Sequence, residues 1–344
     1  MLLKTVFGKT YGVGKVACTH APLAVLTASG ANRADHDIRY HSLYDNTYLR
    51  FFKVCAWLTA GWRRCQHTVQ ALPLTPRAFS AHLQQGHTSR VTSLAMSPKS
   101  DAFLTASQDG TCRLWDVRTN VCSGALRCST ASPVAAFDHQ GLVFAVVTTD
   151  GVLKMFDARE YDKGPFDVCV FDAGHHPTPA GTTTSISFTL DGKQLLLCSG
   201  GHIYVLDAFN GQRLQCIPIP QAAAPSAYAL PPPPCEPCFT PDGRCVVSGA
   251  PDGLVHIWNA ATGAELRPAW RGHAGVPSCL RWSPTRCLAA SGCTAGGLAL
   301  WIPAQEGAQQ PGGAMQQTHA AQGSHFAAPG LMAAMQPVMQ GGMW

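Results

Sequence analysis

The stretch Asp109-Gly-Thr-Cys-Arg-Leu-Trp115-Asp116 decides the fold, because it recurs along the chain. It returns as Asp150-Gly-Val-Leu-Lys-Met-Phe156-Asp157 and as Asp252-Gly-Leu-Val-His-Ile-Trp258-Asn259, with the same spacing from the acid to the aromatic residue. Self-similarity of this kind indicates a repeat architecture. Weaker copies stand at 35–42, at 200–207 and at a last position that ends at Trp301, which makes six in all.

A Gly-His pair precedes two of the copies at a fixed distance. His87 stands 28 positions before Trp115, and His273 stands 28 positions before Trp301. This spacing is typical of the GH…WD repeat of about 40–45 residues, in which each unit is a small four-stranded sheet. Between the two markers, strand-like runs alternate with turn pairs such as Ser97-Pro98. We therefore predict antiparallel sheets with no helix inside the unit.

One repeat carries four residue types that can hydrogen bond in series. They are His87 in the entering loop, Thr105 or Ser107 on the second strand, Asp109 in the next turn and Trp115 on the third strand. Such a chain fixes a loop to its sheet, and small sheets must stack around an axis to bury their faces. The sequence predicts an all-β fold, a WD-repeat β-propeller with six recognisable blades of a seven-bladed type. The residues to which we assign a structural role in the repeat are His87, Ser107, Asp109, Trp115, Asp150, Phe156, Asp252, Trp258, His273 and Trp301.

Two segments depart from the repeat. Residues 54–85 contain no acidic residue and stretch the first interval between copies to 74 positions, against 41 for the next interval. We interpret this segment either as an insertion in a loop between blades or as translated intron. Residues 303–344 consist almost wholly of Gly, Gln, Ala, Met, Pro and His, a composition that cannot form a packed core. We expect a propeller over residues 1–302, interrupted at about 54–85, and a disordered low-complexity tail over 303–344.

Charge and composition disfavour several classes of protein. Lys and Arg number 25 against 20 acidic residues, and a net charge of +5 is too weak a bias to favour nucleic-acid binding. No apolar run approaches the ~18 residues of a membrane span, and Met1-Leu-Leu-Lys4 lacks the apolar core of a secretory signal. We expect a soluble intracellular protein whose 15 cysteines are reduced, with no membrane partner and no direct sequence-specific nucleic-acid partner.

Motifs with catalytic or metal-binding spacing stand alone in the sequence. Gly8-Lys-Thr10 resembles the end of a phosphate-binding loop, but the first glycine of that loop would stand at Leu3. Cys235-Glu-Pro-Cys238 has zinc-ligand spacing but no second ligand pair at a standard interval. No nucleophile elbow and no paired catalytic carboxylates are found. We therefore predict no catalytic activity, no cofactor and no metal.

Several runs carry a more specific resemblance than the repeat itself. They are Tyr11-Gly-Val, Asp37-Ile-Arg-Tyr-His-Ser-Leu-Tyr-Asp-Asn-Thr-Tyr-Leu-Arg-Phe-Phe52, Leu114-Trp-Asp-Val-Arg118, Tyr161-Asp-Lys-Gly-Pro-Phe166, Asp191-Gly-Lys193, Asp207-Ala-Phe209, Phe239-Thr-Pro-Asp242 and Val255-His-Ile-Trp-Asn259. These runs resemble the WD-repeat protein 82 family. The resemblance spans roughly residues 4–53 and 86–302, and it breaks at the segment 54–85. Family members begin with a further blade, which we expect to be missing from this chain.

This resemblance implies a non-catalytic scaffold in the nucleus, a subunit of a COMPASS-type histone lysine-4 methyltransferase complex. In that role the protein would bind the SET-domain methyltransferase and other complex subunits, and would link them to the phosphorylated tail of transcribing RNA polymerase II. The resemblance also allows a scaffold of an RNA 3′-end processing or phosphatase complex. Fold alone does not decide between these roles.

Two copies of the repeat end in a sequence that suggests another partner. Trp115-Asp-Val-Arg118 and Phe156-Asp-Ala-Arg159 have the form with which substrate receptors of cullin-RING ubiquitin ligases contact their adaptor. The motif is short and occurs in many propellers. A ligase substrate receptor is therefore the alternative function, and the partner-binding candidates are Asp116, Arg118, Asp157 and Arg159.

Overall fold

The computed structural model describes residues 12–30, 36–52, 86–119, 122–129, 131–171, 183–220, 235–303 and 335–339. The segment predicted as an insertion at 54–85 and residues 304–334 of the predicted tail lie outside the described residues. Within the described part of the chain, 24 strands form six four-stranded sheets.

Each sheet takes four strands that follow one another in the chain. The first three sheets consist of β1 (Lys15–Cys18), β2 (Ala24–Ala28), β3 (Ile38–Ser42) and β4 (Thr47–Phe52); of β5 (Val91–Met96), β6 (Ala102–Ser107), β7 (Thr111–Asp116) and β8 (Cys122–Arg127); and of β9 (Val134–Phe137), β10 (Val143–Val147), β11 (Val152–Asp157) and β12 (Asp167–Val170). The last three consist of β13 (Thr183–Phe188), β14 (Gln194–Ser199), β15 (His202–Asp207) and β16 (Arg213–Pro218); of β17 (Cys238–Phe239), β18 (Cys245–Gly249), β19 (Val255–Asn259) and β20 (Glu265–Trp270); and of β21 (Pro277–Trp282), β22 (Ala289–Cys293), β23 (Leu298–Pro303) and β24 (Met335–Met339).

Six antiparallel sheets of this kind are the blades of a propeller. The register between β6 and β7 shows the pattern, with Phe103 opposite Trp115 and Thr105 opposite Arg113. The prediction of an all-β WD-repeat β-propeller with six recognisable blades is confirmed. A single turn of 3₁₀ helix at Tyr161–Lys163 lies between β11 and β12.

Burial differs between the inner and the outer strands of a blade. The second strands β6 and β18 are buried at almost every position, because each is paired on both edges and covered on both faces. The fourth strand β12 alternates between half-buried and exposed residues. Inner strands therefore appear in the sequence as continuous apolar runs, whereas outer strands show the alternation of a half-solvated sheet.

The chain divides into two compact units, and in the first, Met1–Phe188, an aromatic residue joins neighbouring blades. Phe52, the last residue of β4, places its ring centroid 4.9 Å from that of Phe103 and 5.6 Å from that of Trp115. All three rings are buried. The outer strand of the first blade thus ends in the core of the second.

The second unit, Thr189–Trp344, repeats this arrangement. Trp270, the last residue of β20, lies 5.0 Å from Trp301 on β23 by ring centroids. Ile217 on β16 belongs to the same buried cluster as Trp258 on β19. In each case the end of one outer strand packs against the third strand of the following blade.

The last blade takes its fourth strand from the predicted tail. β24 pairs antiparallel with β23, with Leu300 opposite Val338 and Trp301 opposite Pro337. We predicted a propeller over residues 1–302 and a disordered tail over 303–344; β24 lies within that tail and pairs with the last blade, and the rest of the tail stays a prediction. The physical reason for this pairing is that main-chain hydrogen bonds to an open sheet edge hold a strand whose composition would not form a core of its own.

Candidate binding surface

A buried hydrogen-bond chain fixes the loop that enters the second blade. His87 Nδ1 lies 3.0 Å from Asp109 Oδ2, and His87 Nε2 lies 2.7 Å from Thr105 Oγ1. The indole Nε1 of Trp115 donates to the same hydroxyl at 2.9 Å. A neutral imidazole satisfies this series, because Trp115 donates to Thr105, Thr105 donates to His87 and His87 donates to Asp109. The four residues are a clamp between a loop, two strands and a turn.

The electrostatics of the clamp agree with a neutral histidine and an ionised carboxylate. Burial lowers the pKa of His87, although Asp109 acts in the opposite direction. Burial also acts to raise the pKa of Asp109, but hydrogen bonds from His87, Thr111 and the main-chain N–H of Thr88 hold it well below its usual range. The pair is therefore set for structural hydrogen bonding at neutral pH.

The hydroxyl of the clamp belongs to Thr105, so the assignment of Ser107 to this position is corrected. Ser107 Oγ donates to the carbonyl oxygen of Ser89 at 2.9 Å and accepts from the main-chain N–H of Asp109 at 3.2 Å. Thr105 is one diagonal step from Trp115 across the β6–β7 pair, whereas Ser107 is two residues nearer the turn. Ser107 thus shapes the turn, and Thr105 links the histidine to the tryptophan.

The last blade holds a shorter version of the same series of hydrogen bonds. His273 Nε2 lies 2.6 Å from Ser291 Oγ, and Trp301 Nε1 donates to Ser291 Oγ at 2.7 Å. Ala295 stands where the spacing places the acid, and burial lowers the pKa of His273. Ser291 was missed by the sequence analysis, although it precedes its tryptophan by the same 10 positions as Thr105 does.

The copy at Asp150 and Phe156 stabilises its blade in another way. Asp150 accepts hydrogen bonds from the hydroxyls of Thr148 and Ser129. Phe156 stacks on Phe144 at 5.1 Å between ring centroids, with an interplanar angle of 8°. The acid holds its turn and the aromatic residue fills the core, without a histidine between them.

The copy at Asp252 and Trp258 contains a histidine within its own third strand. His256 Nε2 lies 2.8 Å from Asp252 Oδ2, and His256 Nδ1 lies 2.6 Å from Glu265 Oε1. The His256 ring stacks on Trp258 at 5.7 Å. This buried histidine joins the turn before β19 to the start of β20, a role that the sequence analysis did not assign.

Four blades share one design in the turn between the third and fourth strands. The side chain that ends the third strand accepts a hydrogen bond from the main-chain N–H two residues later. This Asx turn fixes the backbone, and the side chain of the residue that donates the N–H points outward. The pairs are Asp116 with Arg118 at 2.7 Å, Asp157 with Arg159 at 2.8 Å, Asp207 with Phe209 at 2.8 Å and Asn259 with Ala261 at 2.9 Å.

In the first unit, these turns display the predicted partner-binding arginines. The side chain of Arg118 is 74% exposed and forms an ion pair with Asp101 at 2.5 Å. Arg159 is exposed on the next blade. An exposed ion pair contributes little stability, so a partner can compete for Arg118. Asp116 and Asp157 shape the turns through their side-chain oxygens, and the contact role of the two arginines stays a prediction.

In the second unit, Phe209 occupies the corresponding turn position and is 76% exposed. An exposed phenylalanine on a fixed turn offers apolar contact area at low entropic cost. Phe209 was not predicted from the sequence as a contact residue. The sequence pattern that could have indicated this role is Asp-Ala-x, which occurs at Asp207 and again at Asp157.

The Cys235 and Cys238 thiols are both sheltered from solvent. Burial raises the pKa of each thiol to about 12. Among the residues with described positions, no three His, Cys, Asp or Glu side chains are grouped as metal ligands would be, and no cysteine forms a disulfide. None of the same residues form a helix with the length and apolarity of a membrane span.

Known proteins are similar both to the single repeat and to most of the chain. The family model described as WD domain, G-beta repeat matches residues 79–116, 237–259 and 265–301. The chain is 36% identical over 307 residues to Protein ANTHESIS POMOTING FACTOR 1 of Arabidopsis thaliana, which covers 88% of this chain and 77% of that protein. It is 34% identical over 304 residues to WD repeat-containing protein 82 of Drosophila melanogaster, with 88% and 81% covered. The chain belongs to the WD repeat-containing protein 82 family.

Two further matches have lower sequence identity. It is 28% identical to COMPASS component SWD2 of Saccharomyces cerevisiae, over 77% of this chain and 70% of that protein. A chain in the crystal structure of a mitotic checkpoint complex matches with a TM-score of 0.60 at 15% identity, covering 86% of this chain and 76% of that one; this similarity concerns the fold alone. The matched repeats 79–116 and 265–301 contain the two histidine–tryptophan chains described above.

Proposed function

We propose that this family member is a non-catalytic scaffold subunit of a nuclear COMPASS-type histone lysine-4 methyltransferase complex. The observation that carries the proposal is its similarity, over most of its length, to the family and to a yeast protein named as a COMPASS component. A propeller suits such a role, because its strands form a rigid support while its loops and turns contact partners.

The proposed partners are a SET-domain methyltransferase, other subunits of the complex and the phosphorylated tail of RNA polymerase II. Arg118 and Arg159 support an acidic or phosphorylated contact in the first unit, because a guanidinium binds carboxylate and phosphate groups in bidentate geometry. Both arginines follow capped turns, so little backbone entropy is lost when a partner binds.

Affinity purification of the tagged full-length chain from its own cells tests the proposal. We expect methyltransferase subunits to be enriched together with the chain when the bound proteins are identified by mass spectrometry. Recovery of phosphatase or RNA 3′-end processing factors, without any methyltransferase subunit, would assign the scaffold to that other complex and contradict the proposal.

A second candidate, a substrate receptor of a cullin-RING ubiquitin ligase, is supported by the exposure of Arg118 and Arg159 after aromatic-Asp-x sequences. Under this alternative, the double variant Arg118→Ala and Arg159→Ala loses binding to the ligase adaptor in a purified pull-down. Lys193→Ala is the matched control, since Lys193 is also a basic turn residue and its side chain is 71% exposed. Absence of adaptor binding by the unmodified chain would exclude this candidate.

A further inference from the structure

We propose that Cys112 and Cys128 form a redox-sensitive pair that a hydroperoxide converts to a disulfide. The two sulfur atoms lie 3.8 Å apart. Cys112 is on β7, and Cys128 directly follows β8, the strand paired with β7. This site lies apart from the exposed turns on which the proposed function rests.

The backbone already holds the two residues in a position suited to a cross-strand bond. Cys112 lies opposite Leu126, and the main-chain N–H of Cys128 donates to the carbonyl oxygen of Gly110 at 2.8 Å, which extends the β7–β8 pairing. The cysteines are therefore diagonal neighbours. A disulfide has a bond length of about 2.05 Å, so side-chain rotation must bring the sulfur atoms closer by somewhat less than about 2 Å.

The two thiols differ in reactivity, and Cys128 is the nucleophile. Cys112 is buried, whereas Cys128 is half-buried. The hydrogen bond with Cys112 lowers the pKa of Cys128, and the charge of Lys154 acts in the same direction, while burial and the charges of Asp109 and Asp150 act against them. The same hydrogen bond and burial raise the pKa of Cys112. Because the thiolate is the reactive form of cysteine, a peroxide reaches and attacks Cys128 first.

Three other cysteines have pKa values that are shifted in the opposite direction. Burial raises the pKa of Cys122, which lies in the same hairpin, and of the half-buried Cys169 on β12. Burial also raises the pKa of Cys245 to about 11. These three thiols are therefore expected to react with peroxide more slowly than Cys128.

The reaction balances with hydroperoxide as the oxidant. The Cys128 thiolate attacks one oxygen of hydrogen peroxide, the O–O bond breaks, and Cys128 sulfenic acid forms as hydroxide leaves and takes a proton to become water. The Cys112 sulfur then attacks the Cys128 sulfur, the S–O bond breaks, and the leaving hydroxide becomes water with the proton of Cys112. Overall, two thiols lose two electrons and two protons, and one peroxide becomes two waters.

Tryptic peptide mapping of the reduced full-length chain tests the pair after treatment with hydrogen peroxide and blocking with N-ethylmaleimide. Cleavage after Lys99, Arg113, Arg118, Arg127 and Lys154 places the three cysteines of this region in separate peptides, 100–113, 119–127 and 128–154. We expect a dithiothreitol-sensitive species that joins 100–113 to 128–154. Linkage of 119–127 instead, or no linkage at doses that oxidise Cys169, would overturn the proposal.

Matched variants test the assigned order of attack. Cys128→Ser removes the linked species, whereas the control Cys169→Ser retains it. With Cys112→Ser, dimedone traps sulfenic acid at Cys128 after peroxide treatment, while Cys128→Ser gives no dimedone adduct at Cys112. A melting temperature close to that of the unmodified chain verifies that each variant is folded. Equal dimedone labelling of Cys112 and Cys128 in the two variants would contradict the roles given to them.

Discussion

At the scale of single residues, the buried hydroxyl of Thr105 is the centre of the clamp in the second blade. It accepts from Trp115 and meets His87, so one oxygen connects two large side chains from different segments. A buried donor or acceptor that loses its partner costs about 1–3 kcal/mol. The stability of this blade is therefore sensitive to one hydroxyl group.

Thr105→Val keeps the shape of the side chain and removes the hydroxyl. We expect the free energy of unfolding to fall by at least about 2 kcal/mol in urea titration, because both His87 and Trp115 lose a hydrogen-bond partner. Ser107→Ala removes hydrogen bonds that hold only the turn, and a loss of about 1 kcal/mol is expected. A larger loss in Ser107→Ala than in Thr105→Val would contradict the assignment of Thr105 to the clamp.

The clamp also predicts a pH dependence of stability. The pKa of His87 in the folded chain lies below the ordinary value of 6.5, so the unfolded chain binds the proton more readily. The neutral histidine contributes fully to the free energy of unfolding above pH 6.5. This contribution is lost as the pH falls, at up to about 1.4 kcal/mol per pH unit. Asp109, whose pKa is also lowered, loses its contribution only in stronger acid.

Urea titrations between pH 7.5 and pH 5 measure this effect. The difference in stability across that range should be smaller in His87→Gln than in the unmodified chain. His139→Gln is the control, because His139 is exposed in a surface turn and its replacement should leave the pH dependence unchanged. Identical pH profiles for His87→Gln and the unmodified chain would disprove the prediction.

At the scale of strands, the position of β24 distinguishes the last blade from the other five. β24 covers the outer edge of β23, and an uncovered edge leaves main-chain groups open to solvent. Trp301 on β23 is fully buried and receives Trp270 from the preceding blade. The edge strand therefore protects a core that two blades share.

Removal of residues 304–344 should expose the edge of β23. We expect faster amide hydrogen exchange at the β23 positions that bond to β24, because those N–H groups then face water. Exchange in β19, which is the third strand of another blade and keeps its neighbour β20, is the internal reference. Unchanged exchange in β23 after truncation would mean that β24 does not cover it in solution.

At the scale of the whole molecule, the fold is a series of similar four-stranded sheets, six of them in the described part of the chain. In such an array, the free energy of unfolding is close to a sum of one term for each blade and one term for each interface between neighbouring blades. Phe52 supplies one interface term, since it ends the first blade and packs on Phe103 and Trp115 of the second. The effect of its loss should therefore be confined to the first unit.

Phe52→Ala should lower the free energy of unfolding by about 3–5 kcal/mol, the usual cost of removing a buried aromatic ring. Hydrogen exchange should become faster in β1–β8 and stay unchanged in β18–β23. Tyr48→Ala on the same strand is the control, because Tyr48 is 41% exposed and its removal should cost little. Equal acceleration in both regions would show that the blades do not behave as neighbour-coupled units.

The spacing of the repeat predicted the strands of the fold well. It could not assign a role to one of two residues that share a face of a strand. Recurrence of the Asp109–Trp115 pattern gave the blade type, because each copy needs the same hairpin. Thr105 and Ser107 lie on one face of β6, so spacing alone could not decide between them; the diagonal contact with Trp115 did. β24 was missed because its pairing depends on main-chain groups, which every sequence offers. The contact role of Arg118 and Arg159 stays a prediction.

The late position of β24 affects how the chain is made. Five blades consist of strands that leave the ribosome close together, so each can pair soon after its synthesis. The sixth must wait until residues 304–334 have followed β23 out of the exit tunnel. During that interval the edge of a nascent blade is open to other growing chains on the same messenger RNA. Slow translation through this Gly- and Gln-rich stretch would lengthen the period in which neighbouring nascent chains can pair wrongly, and chaperone demand should be highest there.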